Sequence, residues 1–116
     1  MPVQHPAAVP ELAPIGAGRA VIRLPEVDNV PVTRRVLQVI DHPHFQRLRR
    51  VRQLGPTHVV YPGAVHSRFE HSVGAYGVAI RYLQSLLEHQ EVRDLLSEDD
   101  VVVVLMAALL HDVGHY

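Results

Sequence analysis

The chain has 116 residues, 47% of them apolar and 20% charged, with a mean hydropathy of +0.06, a composition that fits one soluble globular domain and excludes collagenous, wholly disordered and polytopic membrane chains. Eleven Arg against twelve Asp and Glu leave a formal charge of −1, so the chain as a whole is no polycation for nucleic acid or anionic lipid. Zero Cys exclude disulfides, thiolate zinc sites and cysteine nucleophiles, while nine His keep a His, Asp or Glu metal site open.

The N-terminal stretch carries Pro2, Pro6, Pro10 and Pro14 among Ala, Val and Gly. This spacing opposes a helix and offers no strand alternation, so residues 1–19 are expected to be a disordered Pro/Ala-rich tail, with the folded part over 20–116. Val21-Ile22-Arg23-Leu24, followed by Pro25, Asp28-Asn29 and Pro31, predicts a short β-like segment or hairpin within 20–32. Thr33 caps a short helix that ends near Asp41, because Pro43 disfavours the α conformation at His42. A second helix is expected from Pro43 to Leu54, with Phe45, Leu48 and Val51 on one stripe and Gly55-Pro56 as its stop.

Ser67 and Glu70 form a capping box that opens the clearest helix of the chain. In it Phe69, Val73, Tyr76, Ile80, Leu83 and Leu87 fall on one apolar face, and Gly74 and Gly77 suit a close approach by another backbone or a ligand. The acidic stretch 88–100 reads as a connection, and Ser97 with Asp100 caps a helix over Val101–Leu110. Apolar on all sides, that helix is expected at the centre of a bundle. This longest apolar run has ten residues against the roughly 20 that cross a bilayer, and no basic segment leads into an apolar stretch at the N-terminus. A cytoplasmic protein with no membrane partner is expected.

His111 and Asp112 follow the apolar run, which carries an ionisable pair to the edge of a core. A bound divalent cation would compensate such a pair; a helix end emerging into solvent is the plainer alternative. If the two clear helices pair antiparallel, residues equidistant from the connection lie level, and the midpoint of 71 and 111 falls inside it. His71 then meets His111, and two imidazoles and the Asp112 carboxylate can converge on Mn, Fe, Co, Ni or Zn. Arg68 shares a face with His71, and His115 with His111, an arrangement that suits a phosphate group. Taken singly, His71 reads equally as a partly buried histidine bonded to a carbonyl, Arg68 as a surface arginine and His115 as a frayed end. The segment 34–54 holds six Arg and one Asp, a net +5. It suggests weak nucleic-acid or phosphate binding, or a solvated face pairing with the −5 stretch 88–100.

Several of these motifs occur together and in order. Asp41-His42-Pro43, Phe45-Gln46-Arg47-Leu48-Arg49, Gln53-Leu54-Gly55, Tyr61-Pro62-Gly63-Ala64, Ser67 through Gly74, and Leu109-Leu110-His111-Asp112-Val113-Gly114-His115 resemble the HD-domain metal-dependent phosphohydrolases, most of all their deoxynucleoside triphosphate triphosphohydrolase (dGTPase-like) branch. The resemblance implies an all-α fold, a mostly helical bundle with only the short β-like segment near 20–32. It implies a hydrolase of deoxynucleoside triphosphates (dNTPs) that needs a divalent metal cation (Mn, Mg, Fe, Co, Ni or Zn) and releases deoxynucleoside and triphosphate. His71, His111 and Asp112 would be three of four metal ligands. Arg68 would contact the substrate phosphate as a catalytic group, Gln53 and Leu54 would lie against the sugar, and His115 would be a catalytic histidine beside the metal. The family's fourth ligand, an Asp on a later helix, falls beyond Tyr116. Residues 20–116 are therefore expected to be the N-terminal portion of an HD domain, a bundle incomplete at its C-terminus, with exposed apolar surface and weak or absent catalysis by itself. The complete protein is expected to be a homo-oligomer.

Overall fold

The computed structural model describes residues 6–13, 20–23, 29–51 and 67–114. Two strands, β1 (Ala20–Arg23) and β2 (Asn29–Val32), pair antiparallel with Ala20 opposite Val32 and Arg23 opposite Asn29. Five α-helices follow among the described residues, α1 (Arg34–Ile40), α2 (Pro43–Gln46), α3 (Arg68–Leu86), α4 (Gln90–Leu95) and α5 (Glu98–Leu110), and a 3-10 turn at Arg47–Arg50 continues α2. Among the described residues the fold is mostly helical with one small two-stranded sheet, as the sequence pattern and the resemblance lead one to expect.

Local chemistry sets the helix starts. Thr33, Ser67 and Ser97 are the N-caps of α1, α3 and α5, and each side-chain oxygen accepts from the backbone N–H three residues on. At α5 the Asp100 carboxylate returns a bond to the Ser97 amide, a full capping box. On α3, Phe69, Val73, Tyr76, Ile80 and Leu83, with the C-cap Leu87, are all buried, as the stripe predicts. They pack against Val101, Leu105 and Leu109 of α5, with Val30, Val32, Val36, Ile40, Phe45 and Leu48 completing the core. Phe45 and Phe69 meet edge to face, with centroids 5.5 Å apart.

Three features differ from the sequence reading. Residues 6–13, expected to belong to a mobile tail, form 3-10 turns at Pro6–Ala8 and Pro10–Leu12 and bury Val9, Glu11 and Leu12. Proline prevents an α-helix there, but the fixed φ of Pro10 suits the first position of a 3-10 turn, and Gln84 donates to the Leu12 carbonyl at 2.8 Å. The helix expected over 43–54 is α-helical to Gln46 and 3-10 over Arg47–Arg50, and its last residues, 52–54, lie outside the described residues. The connection 88–100 contains α4. As a bundle incomplete at its C-terminus leads one to expect, α5 is not wrapped on all sides. Packing on α3 buries one stripe at every fourth residue, whereas Val103 is 65% and Val104 44% exposed, so its other side lacks a cover among the described residues. No helix among them is long and apolar enough to cross a membrane.

Of the arginines in 34–50, none pairs with the acidic 88–100 stretch among the described residues. Arg35 instead joins the buried Glu11 carboxylate in an ion pair, and Thr33 Oγ1 donates to the same carboxylate. Burial pushes the Glu11 carboxyl up, but the hydrogen bonds from Arg35 and Thr33 and the Arg35 charge outweigh it, leaving it below its ordinary 4.5. The same bond raises the Arg35 guanidinium above its usual value.

Candidate metal centre

The start of α3 and the end of α5 come together. Capping by Ser67 places His71 in the first turn of α3, and the Arg68 amide donates to the Val51 carbonyl at 2.7 Å, tying that turn to the segment before it. The last α-helical residue of α5 is Leu110; His111 is its C-cap and Asp112 follows in the turn 111–114. The two helices are antiparallel, with His71 level with His111.

His71 Nε2 lies 3.1 Å from His111 Nε2, and Asp112 Oδ2 is 3.4 Å from the first and 3.5 Å from the second. Arg68 Nη1 donates to the same Oδ2 at 3.1 Å. His111 Nδ1 sits 2.7 Å from the Ala108 carbonyl. A carbonyl only accepts, so Nδ1 carries the proton and Nε2 of the neutral ring turns a lone pair toward His71 and Asp112. This is the arrangement by which ligating histidines are usually oriented. The carboxylate is the most enclosed member, its side chain 13% exposed against 33% for His71 and 42% for His111, so ligands and solvent can reach the imidazoles.

The donor set fits a cation. A triangle with sides of 3.1, 3.4 and 3.5 Å has all three corners about 1.9 Å from one central point, against usual nitrogen and oxygen ligand distances of about 2.0–2.2 Å. The three atoms can therefore reach one divalent ion together without rearrangement. Among the described residues these are the group of His, Asp and Glu side chains that could hold a metal. Imidazole and carboxylate together suit several first-row ions and select none of them.

Comparison with known proteins bears on the same stretch. Residues 68–116 match the HD domain. They belong to the HD-domain family. The matched residues include Arg68 and all three side chains of the cluster. The chain is 46% identical to the deoxynucleoside triphosphate triphosphohydrolase SAMHD1 of Bos taurus over 80 residues, 69% of this chain and 13% of that protein. It is 40% identical over 79 residues to an uncharacterized protein of Methanocaldococcus jannaschii, 68% of this chain and 15% of the other. A crystal structure of a phosphohydrolase from Bacteroides thetaiotaomicron superposes with a TM-score of 0.76 at 34% identity, over 84% of this chain and 24% of that one. The chain thus spans 13% of the length of the curated relatives it matches first.

Of the candidate residues from the sequence, the fold brings Arg68, His71, His111 and Asp112 into one cluster. Gln53, Leu54 and His115 lie outside the described residues. One neighbour of the centre escaped sequence reasoning. Arg47 donates from Nη2 to the Val113 carbonyl at 2.7 Å across 66 positions, a separation no local spacing signals.

Proposed function

We propose that this chain is the N-terminal portion of the catalytic domain of a divalent-metal-dependent phosphohydrolase that acts on deoxynucleoside triphosphates and releases deoxynucleoside and triphosphate. The observation that carries the reading is the convergence of His71, His111 and Asp112 within 4.8 Å with a guanidinium on the same carboxylate. Similarity to triphosphohydrolases over 69% of the chain supports the substrate class.

In this reading His71 and His111 offer Nε2 and Asp112 offers Oδ2 to the cation, with the His111 ring held by Ala108. A cation held there would supply Lewis acidity to a phosphoryl oxygen and to a bound water. Arg68, beside Asp112, meets the substrate phosphate and offsets charge that develops on it. Gln53 and Leu54 contact the sugar, and His115 stands beside the metal as a second catalytic group. The complete protein contributes the fourth ligand and assembles as a homo-oligomer.

Nucleic-acid binding through the Arg-rich segment has less support. Arg35 is committed to Glu11, Arg47 to Val113 and Arg49 to Gln46 and the Phe69 ring, which leaves Arg34 and Arg50 as the arginines of 34–50 without such a partner among the described residues.

Chromatography of dNTPs incubated with the complete protein and Mn²⁺ tests the proposal. Metal-dependent release of deoxynucleoside, abolished in His111→Ala, is the expected result. A complete protein that leaves all four dNTPs intact with every divalent ion tried would overturn the assigned reaction.

A further inference from the structure

The two halves of the ligand set sit 40 residues apart in sequence and on different helices, so something must fix the gap between them. Packing of α3 on α5 does so along the core, but the ligands lie at the open end of that pair. There the Arg47–Arg50 turn reaches both sides. At its end, the Val51 carbonyl accepts from the Arg68 amide at 2.7 Å and pins the first turn of α3, three residues before His71. At its start, the Arg47 guanidinium donates to the Val113 carbonyl at 2.7 Å and pins the turn that carries His111 and Asp112.

The local chemistry suits the task. Val113 lies in the turn just past the end of α5, near the negative end of the helix dipole, where an arginine is a favoured neighbour. Arg47 is half-buried, so its bond is shielded from solvent competition. Leu48 beside it is fully buried and Phe45 packs on Phe69, which makes the base of the clamp rigid.

We propose that Arg47 is a positioning residue for the metal centre, setting the approach of His111 and Asp112 to His71 by holding the Val113 carbonyl. The inference rests on the metal-centre reading above. Arg47 touches neither metal nor substrate; it acts through the turn.

The test uses the full chain with Mn²⁺ alone as probe, titrated by calorimetry well below the melting temperature, and amide hydrogen exchange read over residues 111–114 without metal. Arg47→Met should raise the Mn²⁺ Kd about 10-fold, at the lower end of what loss of an outer contact costs a metal site, and should speed exchange at 111–114. Arg47→Lys keeps a single donor on a different geometry and should weaken binding about threefold. Arg50→Met removes a neighbouring exposed charge and should change neither readout. A Kd for Arg47→Met within twofold of wild type together with unchanged exchange overturns the proposal, as does an equal loss in Arg50→Met. If Arg47→Met does not fold, Arg47→Lys decides, with wild-type Kd and wild-type exchange as the overturning result. Wild-type protein that binds no Mn²⁺ sinks the metal reading instead, and exchange at 111–114 still decides the clamp.

Discussion

Replacing Glu11 by Gln probes the least expected part of the fold. The carboxylate is 2% exposed, while the Arg35 side chain that binds it is 53% exposed. Once freed, that guanidinium is solvated rather than stranded, so the large penalty for an orphaned buried charge does not arise. What is lost is the charge in the bonds to Arg35 and Thr33, about 1.5–2.5 kcal/mol at the lower end of charge-assisted bonding. With a urea slope of about 1–2 kcal/mol per molar, the midpoint should fall by about 1 M, and residues 6–13 should become open to protease. The pH dependence follows from the lowered carboxyl. Its stabilising contribution is complete above the unfolded value near 4.5 and is lost as pH falls through the lower folded value, so wild type and Glu11→Gln should converge in acid. Urea melts at pH 7 that differ by less than about 0.3 kcal/mol, with residues 6–13 equally protected, would refute the reasoning.

Two further substitutions test the helical core. Leu105→Ala removes a fully buried side chain from the α3–α5 contact and should cost about 2–5 kcal/mol in urea unfolding; a loss below about 1 kcal/mol would mean that this contact is not formed. Ser97→Ala deletes the side chain that accepts from the Asp100 amide and should cost about 0.5–2 kcal/mol, seen as a lower melting temperature with unchanged circular dichroism at 20 °C.

The sequence is most informative where the determining interactions are local. Thr33, Ser67 and Ser97 act within one helical turn, and the α3 stripe repeats every three to four residues, so both are readable from spacing. Levelling of His71 with His111 needed one further assumption, an antiparallel pair with its bend near residue 91. Features set by distant partners were not readable. Glu11 is ordered by Arg35, 24 positions away, and the proline pattern around it signals only what the segment cannot form. Arg47 reads as one more solvated arginine until Val113 comes beside it. The apolar run 101–110 does not say which of its faces will find a partner, and α3 covers only the one bearing Val101, Leu105 and Leu109.

The central claim is that His71, His111 and Asp112 hold one divalent cation. Equilibrium dialysis against Mn²⁺, with metal counted per chain, tests it most directly. The account predicts about one ion per wild-type chain at saturation and a large loss of occupancy in His111→Ala and in Asp112→Ala, since each supplies one of three clustered ligand atoms. Equal occupancy in wild type and both variants, or none in wild type, would contradict it.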